Sequence, residues 1–317
     1  MAQPTIVAFR EALESPADHF RTIRSAVPVR NAGGITVART AFFAESVVRF
    51  EGRRWLVCMP LTRSAVMAVE RMAGKLQYIA GKCLCEYSVL YREMVVEDEL
   101  GRKQECDIVL QEYPEGEELG RDCSYSPAQL RTMLDELHMA MESIGFTHNN
   151  LKPSNIIIGD DGRMHPVRYH YAELGEGCRD DFAPLYALIA NEVADDALSD
   201  VYASYSAEIG KTVGGGILRF SPHEGLIRFI AHDRYGYADE QGHPLVEPVY
   251  LWADDFAEGR AVVETERGLG LIDKSGREII PAEYDDLRYD LYSGESECNK
   301  NGRRFVFGYD GHLIDRD

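Results

Sequence analysis

The last third of the chain repeats itself, and that repetition limits what it can fold into more than any other feature. Tyr235 to Gly242 (Tyr-Gly-Tyr-Ala-Asp-Glu-Gln-Gly) is answered by Leu269 to Gly276 (Leu-Gly-Leu-Ile-Asp-Lys-Ser-Gly), a shift of 34 residues. Pro248, Tyr250 and Asp254-Asp255 are followed in the second copy by Pro281, Tyr284 and Asp285-Asp286. Glu224-Gly225, Glu258-Gly259 and Ser293-Gly294 mark the same turn three times, and a further start stands at Phe305 to Gly311, giving about two and a half units. Such units read as a row of hairpins, each too small to bury its own apolar face, so neighbours must stack. The row follows Val213-Gly214-Gly215-Gly216, because three consecutive glycines belong in neither helix nor strand interior. Residues 213–317 are therefore read as a β-rich repeat domain.

Asp239, Asp273, Asp254, Asp255, Asp285 and Asp286 recur at fixed places in these units. Their spacing is not that of a calcium loop, and turn and cap geometry explains recurrence first. From Arg219 onward the chain holds 21 acids and 12 bases, a net charge of −9, which makes a solvated acidic face. Tyr250, Trp252, Phe256 and Tyr284 interleave with the acids; the plain reading is that most are core, and where exposed they would make a surface for a protein partner.

Ahead of the repeats the pattern changes. Residues 5 to 26 carry Ile6, Phe9, Leu13, Phe20 and Ile23 at near-helical spacing, broken by Pro16, and predict one or two lead-in helices. Glu45 to Phe50 and Arg54 to Pro60 read as strands joined in a hairpin at Glu51-Gly52-Arg53. Thr62 opens a helix on Val66, Val69, Ala73 and Leu76, and Glu86 to Glu97 and Glu105 to Tyr113 read as two more strands. Ser126-Pro127 is a helix start, with Leu130, Met133, Leu134, Leu137, Met141 and Ile144 on one face and Gly145 as the stop. The loop His-Asn-Asn-Leu-Lys-Pro-Ser-Asn follows, then a strand from Asn155, a turn at Gly159 to Gly162 and a returning strand from Met164 to Tyr169.

That loop resembles the catalytic loop of the protein kinases. His148, Leu151, Lys152, Pro153 and Asn155 stand at the spacing of the pattern H-R-D-L-K-P-x-N. The resemblance implies a two-lobed fold, with the small lobe at about 28–112 and a trimmed large lobe at about 117–212, inside a kinase-like domain of residues 1–212. In the family, an Asp of this loop accepts the substrate proton, its Asn holds a metal ion, and a second Asp binds the nucleotide's magnesium. Here the first Asp is Asn150, a neutral amide that accepts no proton near neutral pH. Arg168, followed by Tyr169 and His170, stands where the second Asp belongs, and Cys58 or Met59 where a strand Lys belongs. Glu70 would be that Lys's partner, and it reads as a solvated helix charge. Gly33-Gly34 lacks the spacing of a phosphate loop.

The stretch Val109 to Leu119 resembles the segment linking the two kinase lobes, whose backbone bonds the adenine edge. Glu112, Tyr113, Lys152 and Asn155 are accordingly the candidate nucleotide contacts, with ATP the candidate ligand and no obligatory cofactor expected. The plain reading of His148, Asn150, Lys152 and Asn155 is that they hydrogen-bond the loop into shape. Asp160 and Asp161 read as turn residues before metal ligands. Only eleven positions separate Tyr169 from Asp181, the start of a helix through Leu188, too few for an ordinary activation segment. One further helix is expected over Ala197 to Ile209.

The repeats resemble WG repeats, of form W-G-x-I-D-x-x-G-x-x-I-I-P-x-x-Y-D, across 267 to 286 and more loosely from Arg219 to Asp317. The Trp position holds Tyr235 or Leu269, and Phe305 takes the Gly position in the last copy. So short an array is expected to lean on the kinase-like lobe or on a second chain.

A net charge of −19 over 317 residues argues against nucleic acid and against an anionic membrane, both of which need a basic face. No secretion signal or spanning apolar stretch is read. Seven cysteines with no paired spacing, Cys83 and Cys85 being the nearest, suit reduced thiols in a cytoplasm. The expectation is an α+β protein: a minimal two-lobed kinase-like fold, catalytically inactive, with a C-terminal β-rich repeat domain that binds a protein partner. A divergent nucleotide-dependent phosphotransferase is the alternative, and it requires a carboxylate converging on the cleft beneath residues 109 to 116. A purely structural pair of domains, its cleft filled by its own side chains, is a third reading. No metal ligands are read from spacing, and the oligomeric state is left open.

Overall fold

Pro16 divides the lead-in segment into α1 (Ile6–Glu14) and α2 (Pro16–His19), because its ring admits only a first helical position. In the computed structural model, residues 5–40, 42–76, 79, 84–97, 101–120, 123–175, 182–190 and 217–316 are described. The chain falls into two units, Met1–Leu198 and Ser199–Asp317. Val213 to Gly216, Asp181, Cys83 and the helix expected over Ala197 to Ile209 lie outside the described residues.

In the first unit strands begin earlier than the apolar pattern suggests. Four two-residue strands, β1 (Val27–Pro28), β2 (Arg30–Asn31), β3 (Gly34–Ile35) and β4 (Ala38–Arg39), precede β5 (Phe43–Phe50) and β6 (Arg53–Pro60). Ala32-Gly33 is the turn of the β2/β3 hairpin, and Gly34 opens β3 opposite Asn31. Glu51 and Gly52, at φ 50° and 77°, form the β5/β6 turn, the left-handed pair that matches strand twist. Then come α3 (Arg63–Leu76), β7 (Tyr87–Glu97) and β8 (Lys103–Glu112), and the antiparallel sheet runs β1-β5-β6-β8-β7, with β4 also on β5. Alternation along β6 sends Trp55, Val57 and Met59 to a core shared with Phe9 and Leu13 of α1. It sends Leu56 and Cys58 to the other face, against Val69 of α3 and onward to Ile157 and Val167.

The remaining described residues of this unit form β9 (Gly116–Glu118), α4 (Pro127–Ser143), β10 (Phe146–Thr147), a 3-10 turn at Pro153–Asn155, β11 (Ile156–Gly159), β12 (Met164–Pro166), β13 (Glu173–Leu174) and α5 (Ala183–Ile189). β11 lies between β9 and β12, and β10 pairs with β13. Two expectations need correcting. Asn155 belongs to the 3-10 turn and not to the strand, and the returning strand ends at Pro166, because Arg168 takes the left-handed conformation at φ 63°. The five described cysteines form no disulfide. Among the described residues no helix is long and apolar enough to cross a membrane.

Among its described residues the second unit is three four-stranded antiparallel sheets in chain order, where the sequence spacing counts about two and a half units. They are β14 (Ile217–His223), β15 (Leu226–Ala231), β16 (Arg234–Asp239) and β17 (Pro244–Tyr250); β18 (Trp252–Ala253), β19 (Arg260–Thr265), β20 (Gly268–Asp273) and β21 (Glu278–Tyr284); and β22 (Asp286–Tyr289), β23 (Ser296–Lys300), β24 (Arg303–Phe307) and β25 (Leu313–Arg316). The repeated glycine has a steric reason. β17 pairs irregularly over Gly236, and β21 does the same over Gly270. A Cβ on Gly270 would stand 2.6 Å from Ala282 Cα, and one on Gly236 2.6 Å from the Val246 carbonyl oxygen. In the third sheet Phe305 pairs with Arg316 and Val306 with Asp315 without that irregularity, so a large side chain is tolerated. Sheets meet at turn glycines: Gly276 faces Val246 of the first sheet, and Gly311 faces Ile279 of the second.

The recurring aspartates serve the turns. Asp239 accepts from the His243 backbone N–H (2.8 Å) and faces its Nδ1 (2.9 Å), while Asp273 accepts from Ser275 N–H and Oγ (2.9 and 2.6 Å) and from Arg277 N–H (3.1 Å). Asp255 instead pairs with the buried Arg228 guanidinium at 3.1 Å, and Trp252 Nε1 donates to Asp254 at 2.8 Å.

Candidate functional site

Helix α4 delivers the loop. Ser126 and Gln129 form a reciprocal capping box, Pro127 takes the first helical position, and Leu130, Leu134, Leu137 and Met141 are buried. Gly145 turns the chain at φ 61° where a Cβ would collide with the Gly175 carbonyl oxygen at 2.8 Å. β10 then leads into His148.

Within the loop, polar groups are spent on one another. His148 Nε2 contacts the Val167 carbonyl at 2.9 Å, and its Nδ1 accepts from the Asn150 N–H at 3.3 Å, which fixes a neutral tautomer with the proton on Nε2. Asn155, almost fully buried, donates from Nδ2 to the Asn150 carbonyl at 2.8 Å. Asn149 sits at φ 62° and donates to the Tyr171 carbonyl and to Glu173. Lys152 is exposed. Thus Asn155, one of the candidate metal or nucleotide groups, works inside the loop.

Arg168 ties together β5, β8 and the 3-10 turn at Pro153–Asn155. Its left-handed backbone lets its N–H donate to Gln111 Oε1 at 3.0 Å, while its side chain donates to Glu45 Oε2 at 2.7 Å and to the Ser154 carbonyl at 2.9 Å. Glu45, on β5, is 3% exposed and the Arg168 side chain 21%, so the pair is largely buried. Burial alone would lower the Arg168 pKa, but the Glu45 carboxylate outweighs it and the value rises. Arg168, Glu45, Arg54, Tyr113 and Glu118 line a cavity of about 240 Å³. Both carboxylates of this lining are engaged: Glu45 by Arg168, and Glu118 by the Tyr113 hydroxyl at 3.2 Å.

The link contributes little free backbone at its start. Glu112 N–H donates to the Glu86 carbonyl at 2.8 Å and Tyr113 N–H to the Arg54 carbonyl at 3.0 Å. The Glu112 side chain meets Arg53 at 3.4 Å, and burial raises the Tyr113 phenol. A larger cavity of about 790 Å³ lies between the link, α4 and the β11/β12 turn. Its Asp161 accepts from the Arg163 N–H and faces His165 at 3.0 Å, so Asp160-Asp161 behaves as a turn.

Three residues that spacing does not connect meet behind Arg168. Glu45, Cys58 and His170 bring one ligand atom each within 4.8 Å of one another, and all are buried. Burial pushes the Cys58 thiol well above its ordinary value, with Glu45 adding to it and Arg168 opposing. Burial, helped by the Arg168 charge, pushes the His170 imidazole down to about 3, so it is neutral.

Against known proteins, the model of a family described as a WG containing repeat matches residues 235–267 and 270–294. The second unit thus carries WG containing repeats, over parts of its first two sheets and into the third. No curated protein matches the chain.

Proposed function

We propose that residues 1–212 form a minimal two-lobed kinase-like module without phosphotransfer chemistry, and that residues 213–317 are a binding module for a protein partner in the cytoplasm. The order strand, strand, helix, strand, strand from β5 to β8 is the order the resemblance implies for a small lobe, and it supports this reading. The WG containing repeat supports the binding role of the second unit.

The observation that carries the reading is the Arg168 to Glu45 pair. The resemblance puts a metal-binding carboxylate at position 168, and a guanidinium there supplies no oxygen to a nucleotide-bound Mg²⁺ and instead pairs with Glu45 Oε2. Without that ligand and without a base at Asn150, phosphoryl transfer loses its main electrostatic terms.

Calorimetric titration of the whole chain with ATP, with and without Mg²⁺, tests it. Metal-independent binding, or none at millimolar ATP, is expected. Micromolar binding that requires Mg²⁺ overturns the reading in favour of a divergent phosphotransferase.

A further inference from the structure

We propose that Glu45, Cys58 and His170 form a binding site for one divalent cation of the zinc class. A thiol, an imidazole and a carboxylate are the three ligand types that Zn²⁺ takes, and three protein ligands leave a fourth position for water or an anion. Their ligand atoms lie within 4.8 Å of one another, and the residues are 3%, 0% and 3% exposed. The ligands come from β5, from β6 and from the turn after Arg168, all on the face of the sheet that also buries Phe43, Leu56 and Val109.

The second observation is the state of His170. Its Nδ1 meets the Tyr87 hydroxyl at 3.0 Å, and its buried Nε2 has no hydrogen-bond partner among the described residues. A buried ring nitrogen left unpaired is costly in either tautomer. With the proton on Nδ1 and donated to Tyr87, the Nε2 lone pair is free to bind a metal, and Tyr87 becomes the outer partner that orients the ring. Arg168 plays the same part for Glu45, since it holds Oε2 and leaves Oε1 to turn toward the cation. Glu45 also lines the cleft cavity, which gives the ion an approach.

Coordination forms one metal–sulfur bond, and the Cys58 thiol proton leaves to solvent; no electrons are transferred. Metal, thiolate and carboxylate together are neutral, so an anion in the fourth position balances Arg168. This site differs in ligand chemistry from the magnesium positions of the kinase resemblance, and it does not depend on whether a nucleotide binds.

The test is titration of the whole, chelator-treated, reduced chain with Co²⁺, followed by absorbance. One equivalent should give a thiolate-to-cobalt charge-transfer band and the intense visible bands of a four-coordinate site, both abolished by stoichiometric Zn²⁺. Cys58→Ser should remove the charge-transfer band, while Cys298→Ser, which changes a thiol of the second unit, should keep it. Tyr87→Phe leaves all three ligands in place and should weaken binding about 10- to 100-fold, which keeps the test decisive if Cys58→Ser does not fold. Absence of the band in the native chain, its persistence in folded Cys58→Ser, or unchanged affinity in Tyr87→Phe overturns the proposal.

Discussion

Replacing Arg168 with Met removes the guanidinium and leaves the Glu45 carboxylate, 3% exposed, without its cation. Removing one partner of a buried pair costs about 3–5 kcal/mol. The Arg168 side chain keeps 21% exposure, so solvent softens the loss and the lower end, about 3 kcal/mol, is expected. The left-handed backbone at φ 63° is common to both proteins and cancels from the difference. With a urea dependence of about 2 kcal/mol per molar, the unfolding midpoint of the first unit should fall by about 1.5 M. Trp55 is buried in the core of that unit and reports on it, and a Trp252→Phe background silences the second of the chain's 2 tryptophans. Glu45→Gln and the Glu45→Gln/Arg168→Met double variant complete a thermodynamic cycle. Because the double variant buries no charge, it should recover much of the loss, with a coupling of about 2 kcal/mol. A midpoint shift under about 0.3 M in Arg168→Met, or single effects that add within about 0.5 kcal/mol in the double variant, would refute the buried-pair argument.

Three further outcomes can be checked on the same protein. Gly270→Ala places a Cβ 2.6 Å from Ala282 Cα and should cost about 1–3 kcal/mol in calorimetric unfolding of the second unit, whereas Phe305→Ala should be accommodated without a backbone clash. Ser126→Ala removes one half of the capping box on α4 and should lower stability of the first unit by about 1 kcal/mol. In Asp273, burial pushes the carboxyl pKa up, but bonds from Ser275 and Arg277 outweigh it and hold the value below the ordinary one. Its stabilisation is therefore present above the usual aspartate range and lost as pH falls through the folded value. Asp273→Asn should lower the melting temperature at pH 7 and leave it little changed in strong acid; an equal drop at both pH values would exclude this linkage.

Local signals made much of the fold legible. The Ser-Pro start of α4, the Pro16 break and the Glu51-Gly52 turn each act through backbone chemistry of one or two residues, and each falls where the pattern places it. The strands before Ala41 escape such reading because they are two residues long and show no period. Arg168 is legible as a departure from the kinase pattern, but its partner is not: Glu45 begins a predicted strand, and nothing in its neighbours marks it as buried. The Glu45, Cys58 and His170 cluster is further out of reach, since sheet pairing brings the first two together and only the return of the chain past Arg168 adds the third. The third repeat is faint in the sequence because its pairing tolerates Phe305, and the glycine that signals the other two copies is not required there.

Each repeat closes its hydrogen-bond ladder within its own four strands, and neighbours touch through side chains and through the turn glycines Gly276 and Gly311. Duplicating or deleting a whole unit would leave every remaining ladder in register. Copy number is thus a quantity that inheritance can change in one step, without rebuilding the strands on either side.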